Sequence, residues 1–433
     1  MNKVVKPING ITGEIVVPAD KSISHRAIIV GSISQGVTTV SNFLKSDDCA
    51  ATLQAFRSMG VEITEDGDDI KIAGKGLRGL KKPEKNIYLG NSGTSMRIIP
   101  GAVVGQNFEV VLEGDASLSK RPMGRIIKPL KKMGASIASI NNNDKPPLKI
   151  KGSKIKSTHV KTDVASAQVK SCILLAGLYA DGETSVQEPF KSRDHTERML
   201  SYFGADIVTK DKVFIKGKSA LKGKHVIVPG DISSAAFFIV LCLISPDSKL
   251  IIRSVGINPT RTGIIDVLKR MGAHIKVDNV KNDYEPTCDI TARSSQLKAT
   301  QVTPQEIPSL IDEIPILCVA ASKAEGTTTI SGIGELRIKE TDRVSSMVEN
   351  LSSLGQKISD QGDKIVITGN REQFYSGRKN KTLLNSYKDH RTAMSMAVAS
   401  CCCKHECTIS DAEFIDTSFP DFFKILEKVS RRG

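Results

Sequence analysis

The chain has 433 residues, enough for two or three domains of ordinary size. Lysine and arginine number 61 against 47 aspartate and glutamate, so the formal net charge of +14 suits anionic partners such as nucleic acid, a membrane surface or small polyanions. The chain contains no tryptophan and spreads its basic residues along its length, which argues against a nucleic-acid partner bound by base stacking.

Membrane and metal partners are not expected either. The N-terminus has no signal-peptide pattern, and the longest apolar run, Ala235 to Ile244, is too short to span a bilayer. Several of the nine cysteines lie in apolar stretches, as Cys318 does, which is typical of reduced, buried thiols. The cluster from Cys401 to Cys407 has no second half-site at zinc-motif spacing, so it predicts no metal site. We expect a soluble, cytoplasmic protein.

The chain opens with two apolar stretches, Val4-Val5 and Glu14 to Val17, separated by a turn at Asn9-Gly10, and this pattern predicts a hairpin. Six similar segments of about 65–80 residues follow. In each segment a polar start predicts a first helix and an apolar stretch predicts a strand, and in the first five a residue-glycine mark predicts the end of a second helix. The first-helix starts are Ser22, Asn91-Ser92-Gly93, Ser166, Asp231, Asp312 and Asp389. The marks are Met59-Gly60, Met133-Gly134, Phe203-Gly204, Met271-Gly272 and Leu354-Gly355.

A short strand signal follows each mark, so the repeated unit is β-α-β-α-β-β and the fold class is α/β (α+β). The sixth copy stops at Gly433 without its hairpin, and the N-terminal hairpin supplies the missing strands in the simplest assembly. The sequence therefore predicts two domains of three copies each, residues 20–229 and residues 1–19 plus 230–433. The chain would cross between them twice, near Pro18-Ala19 and near Val228-Pro229-Gly230, so we expect the active site in the interdomain cleft.

Charged and polar side chains accompany several of the first-helix starts. A helix N-terminus presents unpaired N–H groups and partial positive charge, and it therefore binds anions. Lys21-Ser22 opens the first copy, Ser166 and Gln168 open the third, and Arg391 opens the sixth. Taken singly, each could be a capping residue with a surface charge, but their recurrence at equivalent positions favours one shared anionic ligand.

Six stretches resemble, in order, the signatures of the EPSP synthase family of enolpyruvyl transferases. They are Asp20 to Ala27, Gly90 to Arg97, Gly114 to Met123, Ser166 to Gln168, Lys339 to Arg343 and Asp389 to Arg391. The resemblance covers nearly the whole chain, and six motifs in register are far more specific than one. It implies the fold of that family, a two-domain inside-out α/β barrel built from six such units.

The resemblance also implies a reaction. The enolpyruvyl group of phosphoenolpyruvate would be transferred to the 5-hydroxyl of shikimate 3-phosphate by addition and elimination, in the shikimate pathway of aromatic amino-acid biosynthesis. These two small anions are then the expected partners, the cofactor and metal requirement is none, and a monomer is expected.

The site residues follow from the same resemblance. Those implied for shikimate 3-phosphate are Lys21, Ser22, Arg26, Ser166, Ala167, Gln168, Ser192, Arg193, Asp312 and Lys339. Those implied for phosphoenolpyruvate are Lys21, Gly93, Thr94, Arg121, Gln168, Arg343 and Arg391. The implied catalytic residues are Asp312 as proton acceptor, Glu340 as the second carboxylate, and Lys21 as a cationic acid or stabiliser of the leaving phosphate. From the residues alone, Asp312 could equally cap the helix that follows it.

Three positions bear on how far the resemblance extends. Glu335 stands where many members of the family have asparagine, and Thr417 stands where many place a lysine near phosphoenolpyruvate. Lys388 or Lys170 could fill that role. Gly93 is often alanine in relatives that tolerate glyphosate, a herbicide that occupies the phosphoenolpyruvate site in this family, so we expect inhibition by glyphosate.

Two other functions stay open on the sequence. The sister UDP-N-acetylglucosamine enolpyruvyl transferase shares the fold and the donor, but it usually has Lys-Asn in place of Lys21-Ser22 and uses a loop cysteine, which the stretch Gly114 to Pro122 lacks. A non-catalytic RNA-binding protein would suit the net charge of +14, although the paired motifs do not favour it.

Overall fold

The fold comes from a computed structural model that describes residues 1–372, 374 and 382–431. Within these residues the strands, in chain order, are β1 (Lys3–Val5), β2 (Thr12–Val16), β3 (Gln35–Ser41), β4 (Glu62–Asp66), β5 (Asp69–Lys75), β6 (Ile87–Tyr88), β7 (Glu109–Glu113), β8 (Ser136–Ser139), β9 (Leu148–Lys151), β10 (His159–Lys161), β11 (Glu183–Gln187), β12 (Ile207–Thr209), β13 (Val213–Lys216), β14 (His225–Ile227), β15 (Lys249–Gly256), β16 (His274–Asn282), β17 (Pro286–Arg293), β18 (Gln301–Val302), β19 (Gly326–Ser331), β20 (Lys357–Asp360), β21 (Lys364–Gly369), β22 (Thr382–Asn385) and β23 (Cys407–Ser410).

The helices of the same residues, in chain order, are α1 (Lys21–Ser32), α2 (Asp47–Ser58), α3 (Gly93–Val103), α4 (Gly124–Lys132), α5 (Ala167–Gly177), α6 (His195–Tyr202), α7 (Ile232–Ile244), α8 (Gly263–Arg270), α9 (Ile307–Leu310), α10 (Ile314–Ser322), α11 (Arg343–Ser353), α12 (His390–Cys401) and α13 (Phe422–Val429). Short 3-10 turns cover Leu118–Lys120, Ile311–Glu313, Gly334–Ile338 and Ala412–Thr417. No helix of the described residues combines the length and the apolar character needed to cross a bilayer.

The chain divides into two compact units. Unit 1 consists of Met1–Pro18 and Pro229–Gly433, and unit 2 is the single stretch Ala19–Val228. The chain passes from one unit to the other after Pro18 and after Val228, and each crossing lies one residue before the boundary expected from the sequence.

Small sheets built on one plan recur along both units. Each contains a parallel pair of strands that is extended by antiparallel pairing, and the helices between the strands complete the predicted β-α-β-α-β-β repeat. The strand orders in unit 2 are β14-β3-β5-β4, β6-β7-β9-β8 and β10-β11-β13-β12. Those in unit 1 are β16-β17-β15-β2, β18-β19-β21-β20 and, among the described residues, β1-β23-β22.

The N-terminal segment does not form the hairpin that the sequence predicted. β1 pairs antiparallel with β23, with Lys3 opposite Ile409, whereas β2 pairs in parallel with β15, with Thr12 opposite Lys249. The two strands therefore complete two different sheets of unit 1. In unit 2, β14 closes the first sheet in the same way by pairing in parallel with β3. β1, β2 and β14 each cover a sheet edge that would otherwise present unpaired backbone groups.

The first helices of the repeats form the interior of each unit, and the sheets lie outside them. Every residue of α7 from Ile232 to Leu243 is buried, as is every residue of α10, because a helix that is apolar on all sides is stable only inside a core. Second helices such as α8 bury one face. Strands such as β9 alternate buried and exposed residues, so one face of the sheet packs on helices and the other meets solvent.

The second helices end where the sequence predicted. The C-cap residues of α2, α4, α6, α8 and α11 are Met59, Met133, Phe203, Met271 and Leu354. The glycine after each has a φ between +76° and +97°, a left-handed conformation that costs glycine little. This turn stops the helix and redirects the chain into the next strand.

The first-helix starts were predicted correctly at four positions and wrongly at two. Ser92, Ser166, Asp231 and Asp389 are N-caps whose side chains accept backbone N–H groups. In the first copy, Asp20 is the N-cap and Ser22 is the second residue of α1. In the fifth copy, Glu313 precedes α10, and Asp312 lies in the 3-10 turn before it, so Asp312 is not the cap that the sequence left open.

Candidate active site

The first turn of α1 carries Lys21 and Ser22. The Asp20 carboxylate caps this helix by accepting the N–H of Ile23 at 2.9 Å. The Lys21 ammonium lies 3.0 Å from the carboxylate of Asp48, and both side chains are partly exposed. A held but accessible ammonium at a helix N-terminus is suited to binding an anion. Asp48, in the first turn of α2, was missed in the sequence, where Asp47-Asp48 reads only as an acidic helix start.

Arg26 lies one turn further along α1 and is 3 % exposed. Its guanidinium donates to Thr196 Oγ1 at 2.7 Å, to the Ser22 carbonyl at 2.8 Å and to Ser171 Oγ at 2.8 Å. The side chain therefore joins α1 to α5 and α6. Its burial makes it a structural link of unit 2, whether or not it also reaches a ligand.

The start of α3 brings together four of the predicted phosphoenolpyruvate residues. Gln168 Nε2 donates to Thr94 Oγ1 at 3.0 Å, and Arg97 Nη1 donates to Gln168 Oε1 at 3.0 Å. A Cβ added at Gly93 would lie 3.0 Å from a guanidinium nitrogen of Arg97 and 3.0 Å from one of Arg121. The loop is thus lined by two arginines, of which the sequence identified Arg121 as a ligand residue and missed Arg97.

Arg121 is held against the loop that precedes α3. Its Nη2 donates to Asn91 Oδ1 and lies 3.4 Å from Ser117 Oγ. Asn91 Nδ2 in turn donates to the Asp115 carboxylate at 2.7 Å. Because Arg121 is 8 % exposed and fixed by these contacts, its guanidinium is presented in one orientation.

The helix that begins with the predicted phosphate-binding residues of unit 2 also carries a buried lysine. Ser166 caps α5, and Ala167 and Gln168 are the first residues of that helix. Lys170 is 2 % exposed and lies 2.8 Å from both the Glu188 and the Glu197 carboxylates. Lys170 is therefore engaged inside unit 2, so the suggestion that it replaces the family lysine at Thr417 is not supported.

Burial and charge act in opposite directions on this lysine. Burial alone would lower the pKa of Lys170, but the neighbouring carboxylates of Glu197 and Glu188 raise it above its usual value. Burial raises the pKa of Glu197. The lysine is consequently charged at neutral pH. Arg193 follows Ser192 and immediately precedes Asp194, the N-cap of α6.

In unit 1 the predicted site residues meet around Arg343, the first residue of α11. Its guanidinium lies 3.2 Å from Asp312 Oδ1, 2.7 Å from Glu340 Oε2 and 2.9 Å from Asp389 Oδ2. Burial alone would lower the pKa of Arg343, but the carboxylates of Asp389, Glu340 and Asp312 raise it. Both predicted catalytic carboxylates thus share one buried cation.

Two further cations flank Asp312. Arg391 Nη1 donates to the Asp312 carbonyl at 3.2 Å, and its Nη2 lies 3.8 Å from the carboxylate. Lys339 Nζ lies 4.0 Å from Asp312 Oδ1. Asp312 keeps 13 % of its side-chain surface exposed and Glu340 keeps 28 %, whereas Arg343 keeps 2 %. Asp312 and Glu340 are therefore more accessible than the guanidinium that they share, whereas the Asp389 carboxylate is buried with it.

Asp389 serves two purposes, of which the sequence indicated one. Its Oδ1 accepts the N–H groups of Arg391 and Thr392 and so caps α12, while its Oδ2 accepts from Arg343. The capping role is visible in the sequence, but the contact with Arg343 joins residues far apart in the chain. Lys388, the remaining candidate for the missing lysine, is exposed and precedes this cap. Glu335 lies in the 3-10 turn before α11.

Comparisons with known proteins decide the family. A sequence model described as EPSP synthase (3-phosphoshikimate 1-carboxyvinyltransferase) matches residues 5–426. The chain belongs to this family. It is 51 % identical over 433 residues to a 3-phosphoshikimate 1-carboxyvinyltransferase of Citrifermentans bemidjiense, with all of both chains covered. It is 46 % identical over 432 residues to the Bacillus cereus protein of that name, with 99 % of both chains covered.

Solved structures agree with this assignment. An EPSP synthase from Acinetobacter baumannii is 43 % identical and superposes with a TM-score of 0.89, covering all of this chain and 98 % of its own. The enolpyruvyl transferase NikO from Streptomyces tendae, at 17 % identity and a TM-score of 0.78 over 98 % and 96 % of the two chains, shares the fold. The inside-out two-domain α/β fold and membership of a transferase family are thereby confirmed, and the UDP-N-acetylglucosamine alternative is not favoured.

Proposed function

We propose that the protein transfers the enolpyruvyl group of phosphoenolpyruvate to the 5-hydroxyl of shikimate 3-phosphate, releasing phosphate and 5-enolpyruvylshikimate 3-phosphate. The observation that carries this proposal is the Arg343 cluster. A buried guanidinium 3.2 Å from Asp312 and 2.7 Å from Glu340 supplies a fixed positive charge beside two carboxylates that can exchange protons.

The reaction needs two proton-transfer groups. The 5-hydroxyl oxygen attacks C2 of phosphoenolpyruvate while C3 takes up a proton, and the tetrahedral intermediate then loses a C3 proton and phosphate. We assign Asp312 to the hydroxyl proton and Glu340 to the C3 proton. Glu340 gives its proton to C3 in the addition and takes a C3 proton back in the elimination, while Asp312 takes the hydroxyl proton. Arg343 holds both carboxyl groups in place through its contacts with them.

The anionic groups of phosphoenolpyruvate require cations and backbone donors. We assign these to the cations Lys21, Arg121, Arg343 and Arg391, and also to the helix start at Gly93-Thr94 and the Gln168 amide. The support is that Arg121 is held by Asn91 at the α3 start, where the first helical N–H groups are unpaired. Lys21 is also assigned to the leaving phosphate, because its ammonium can donate a proton or stabilise negative charge.

Shikimate 3-phosphate is assigned to the remaining predicted residues. The helix start at Ser166-Ala167-Gln168 and the stretch Ser192-Arg193 would hold the phosphate, since they combine a helix N-terminus with a cation. Lys21, Ser22 and Arg26 of α1, together with Lys339 and Asp312, are assigned to the ring and its carboxylate. The proposal keeps the expectation of a cytoplasmic monomer without a nucleic-acid partner.

Phosphate release with both substrates tests the proposal. The purified protein should release phosphate when shikimate 3-phosphate and phosphoenolpyruvate are present together and not when either is omitted. Proton NMR of the mixture should show the vinyl protons of an enol ether. Replacement of shikimate 3-phosphate by UDP-N-acetylglucosamine is the control for acceptor choice. Release with the nucleotide sugar and none with shikimate 3-phosphate would overturn the proposal.

A further inference from the structure

One carboxylate in unit 2 holds two separate segments that are assigned to the substrate phosphate. Glu188 Oε1 accepts the backbone N–H of Ser166, the N-cap of α5, at 3.0 Å. Glu188 Oε2 accepts the backbone N–H of Ser192 at 3.3 Å and its hydroxyl at 2.9 Å. The two oxygens of one side chain therefore fix the spacing between a helix start and the loop before α6.

A buried lysine compensates the charge of this carboxylate. Lys170 Nζ lies 2.8 Å from Glu188 Oε2 and 3.3 Å from the Ser192 carbonyl, and Glu188 keeps 8 % of its side-chain surface exposed. Without Lys170, a carboxylate at this place would repel a phosphate held by the same serines. With it, the charge of Glu188 is partly offset, so the carboxylate weakens the attraction of the α5 N-terminus for an anion less.

The contacts also restrict what each serine can offer a ligand. A hydroxyl has one proton, and Ser192 donates it to Glu188. The Ser166 hydroxyl oxygen accepts the N–H of Val169 at 3.5 Å, which leaves its proton to donate elsewhere. Glu188 thus fixes the backbone of both serines and takes up the hydroxyl proton of Ser192, whereas the Ser166 hydroxyl proton is left for a ligand.

We propose that Glu188, anchored by Lys170, is a positioning residue that holds the helix start at Ser166 and the stretch Ser192-Arg193 at the spacing needed to bind the phosphate of shikimate 3-phosphate. This inference rests on the proposed function and deepens it. It assigns the discrimination between phosphorylated and unphosphorylated shikimate partly to a residue that does not touch the substrate.

The test compares Glu188→Gln with Glu197→Gln. An amide can accept through one oxygen only, so Glu188→Gln deprives either Ser166 or Ser192 of its acceptor. Glu197 is the matched control, because it lies 2.8 Å from the same lysine and is equally buried, with 7 % exposed. In the part of the chain that the structure describes, it makes no hydrogen bond to either serine.

Glu188→Gln should raise the KM for shikimate 3-phosphate by about 10- to 100-fold, as expected for loss of a hydrogen bond to a charged group. The KM for phosphoenolpyruvate should stay within about twofold, and the preference for shikimate 3-phosphate over shikimate, measured by kcat/KM, should fall by a similar factor. Glu197→Gln should leave the KM for shikimate 3-phosphate near that of the parent protein. A merely structural role would lower the amount of active enzyme and move neither KM selectively.

Other outcomes separate the inference from its alternatives. Equal shifts in the two variants would assign the effect to the charge on Lys170 and overturn it. If Glu188→Gln does not fold, Glu188→Asp keeps the charge but is one methylene too short to reach both serines, and the same selective rise is expected. Normal kinetics in Glu188→Asp would overturn the inference. Failure of the parent protein to turn over shikimate 3-phosphate would instead overturn the proposed function.

Discussion

At the scale of single residues, the three carboxylates around Arg343 differ in what they do: Asp389 supports the fold, whereas Asp312 and Glu340 are the proposed proton-transfer groups. The guanidinium is 2 % exposed and contacts three carboxylates, of which Asp389 also caps α12. Asp312 and Glu340 cap no helix and keep more exposed surface, so their removal should spare the fold. The carboxylates of Asp312 and Glu340 are therefore better placed to transfer protons than to stabilise the fold.

We expect Asp312→Asn and Glu340→Gln to fold normally and to lose about 10²–10⁴-fold in kcat, as is typical of general acid–base residues. Steady-state phosphate release and circular dichroism measure the two effects. Asp360→Asn is the matched control, because Asp360 pairs with Arg337 at 2.7 Å in the same unit but outside the cluster. Near-parental turnover in both site variants would show that the proton-transfer assignment is wrong.

Gly93 should separate the natural substrate from the herbicide. An added methyl would lie 3.0 Å from guanidinium nitrogens of Arg97 and Arg121, so both side chains must move by a few tenths of an ångström. Glyphosate is longer than phosphoenolpyruvate and should tolerate this shift less well. Gly93→Ala should therefore raise the inhibition constant for glyphosate by a larger factor than the KM for phosphoenolpyruvate. Equal factors in the two measurements would contradict the steric argument.

His25 should make stability depend on pH. Burial lowers the pKa of His25 from 6.5 to about 3, with Lys21 and Arg26 adding to this effect and Asp48 opposing it. Below pH 6.5 the His25 imidazole is protonated in the unfolded chain but stays neutral in the folded protein. The contribution of His25 to the free energy of unfolding is therefore full above pH 6.5 and is lost as the pH falls toward 3. By linkage, this group removes about 2 kcal/mol of stability between pH 7 and pH 5.

Urea unfolding of the parent protein and of His25→Gln, each at pH 7, 6 and 5, measures this contribution. The variant should lose less stability on acidification than the parent, by about 2 kcal/mol at pH 5, whatever its stability at pH 7. Because the other titrating groups are the same in both proteins, the difference between the two plots of unfolding free energy against pH reports on His25 alone. Parallel pH profiles for the two proteins would mean that His25 titrates normally in the folded state.

The sequence indicated residues that we propose bind the substrates but missed those that hold them. Lys21, Arg121 and Arg343 stand in motifs, and their type alone suggests anion binding. Asp48 and Glu188 carry no such signal, because an isolated acidic residue near a helix usually reads as a solvated surface group. Their roles depend on contacts with residues 27 and 22 positions away, and only the folded chain brings these together.

At the scale of elements, a chain of hydroxyl contacts joins the first three helices of unit 2. His25 Nδ1 on α1 lies 2.7 Å from Thr52 Oγ1 on α2, which lies 2.6 Å from Ser95 Oγ on α3. Ser95 Oγ is in turn 2.6 Å from Ser92 Oγ, the N-cap of α3. The contacts thus connect α1, which carries Lys21, to the start of α3, which carries Gly93.

Thr52→Val should destabilise the protein by about 1–3 kcal/mol, because it keeps the side-chain shape but removes the partner of the buried His25 Nδ1 and one of the two hydroxyl partners of Ser95. Thr38→Val is the matched control. Thr38 is equally buried, but its hydroxyl has no hydrogen-bond partner in the described part of the chain, so this change should be neutral or stabilising. The urea midpoints of the two variants, at constant m-value, measure the change in stability. Equal losses of stability would contradict the importance of the hydroxyl contacts between α1, α2 and α3.

The order of elements could be predicted from the sequence, whereas strand partners could not. Each helix end is a local event, since a glycine such as Gly60 stops a helix by its own conformation. Pairing is non-local: β1 and β2 are neighbours in the chain, but they pair with β23 and β15. The hairpin prediction failed because unit 1 has two open sheet edges. β1 covers one of them and β2 covers the other, so the two strands do not pair with each other.

At the scale of the whole molecule, the two units differ in how the chain builds them. Unit 2 is one continuous stretch, Ala19–Val228, and its last strand β14 pairs with β3 near its beginning. Unit 1 needs two separate pieces, because β1 and β2 come from the N-terminus. Unit 2 is therefore the part that should fold when it is expressed alone.

A fragment of residues 19–228 should give dispersed amide signals in NMR and unfold cooperatively in urea, since its three sheets are complete within it. A fragment of residues 19–223 is the control. It lacks β14, so it exposes the edge of β3 and removes Val226, a fully buried side chain, from the core. Loss of the edge partner and of that apolar burial should lower the urea midpoint and promote association. Equal stability of the two fragments would show that β14 does not close the first sheet of unit 2. A disordered 19–228 fragment would show that unit 2 depends on unit 1 for its stability.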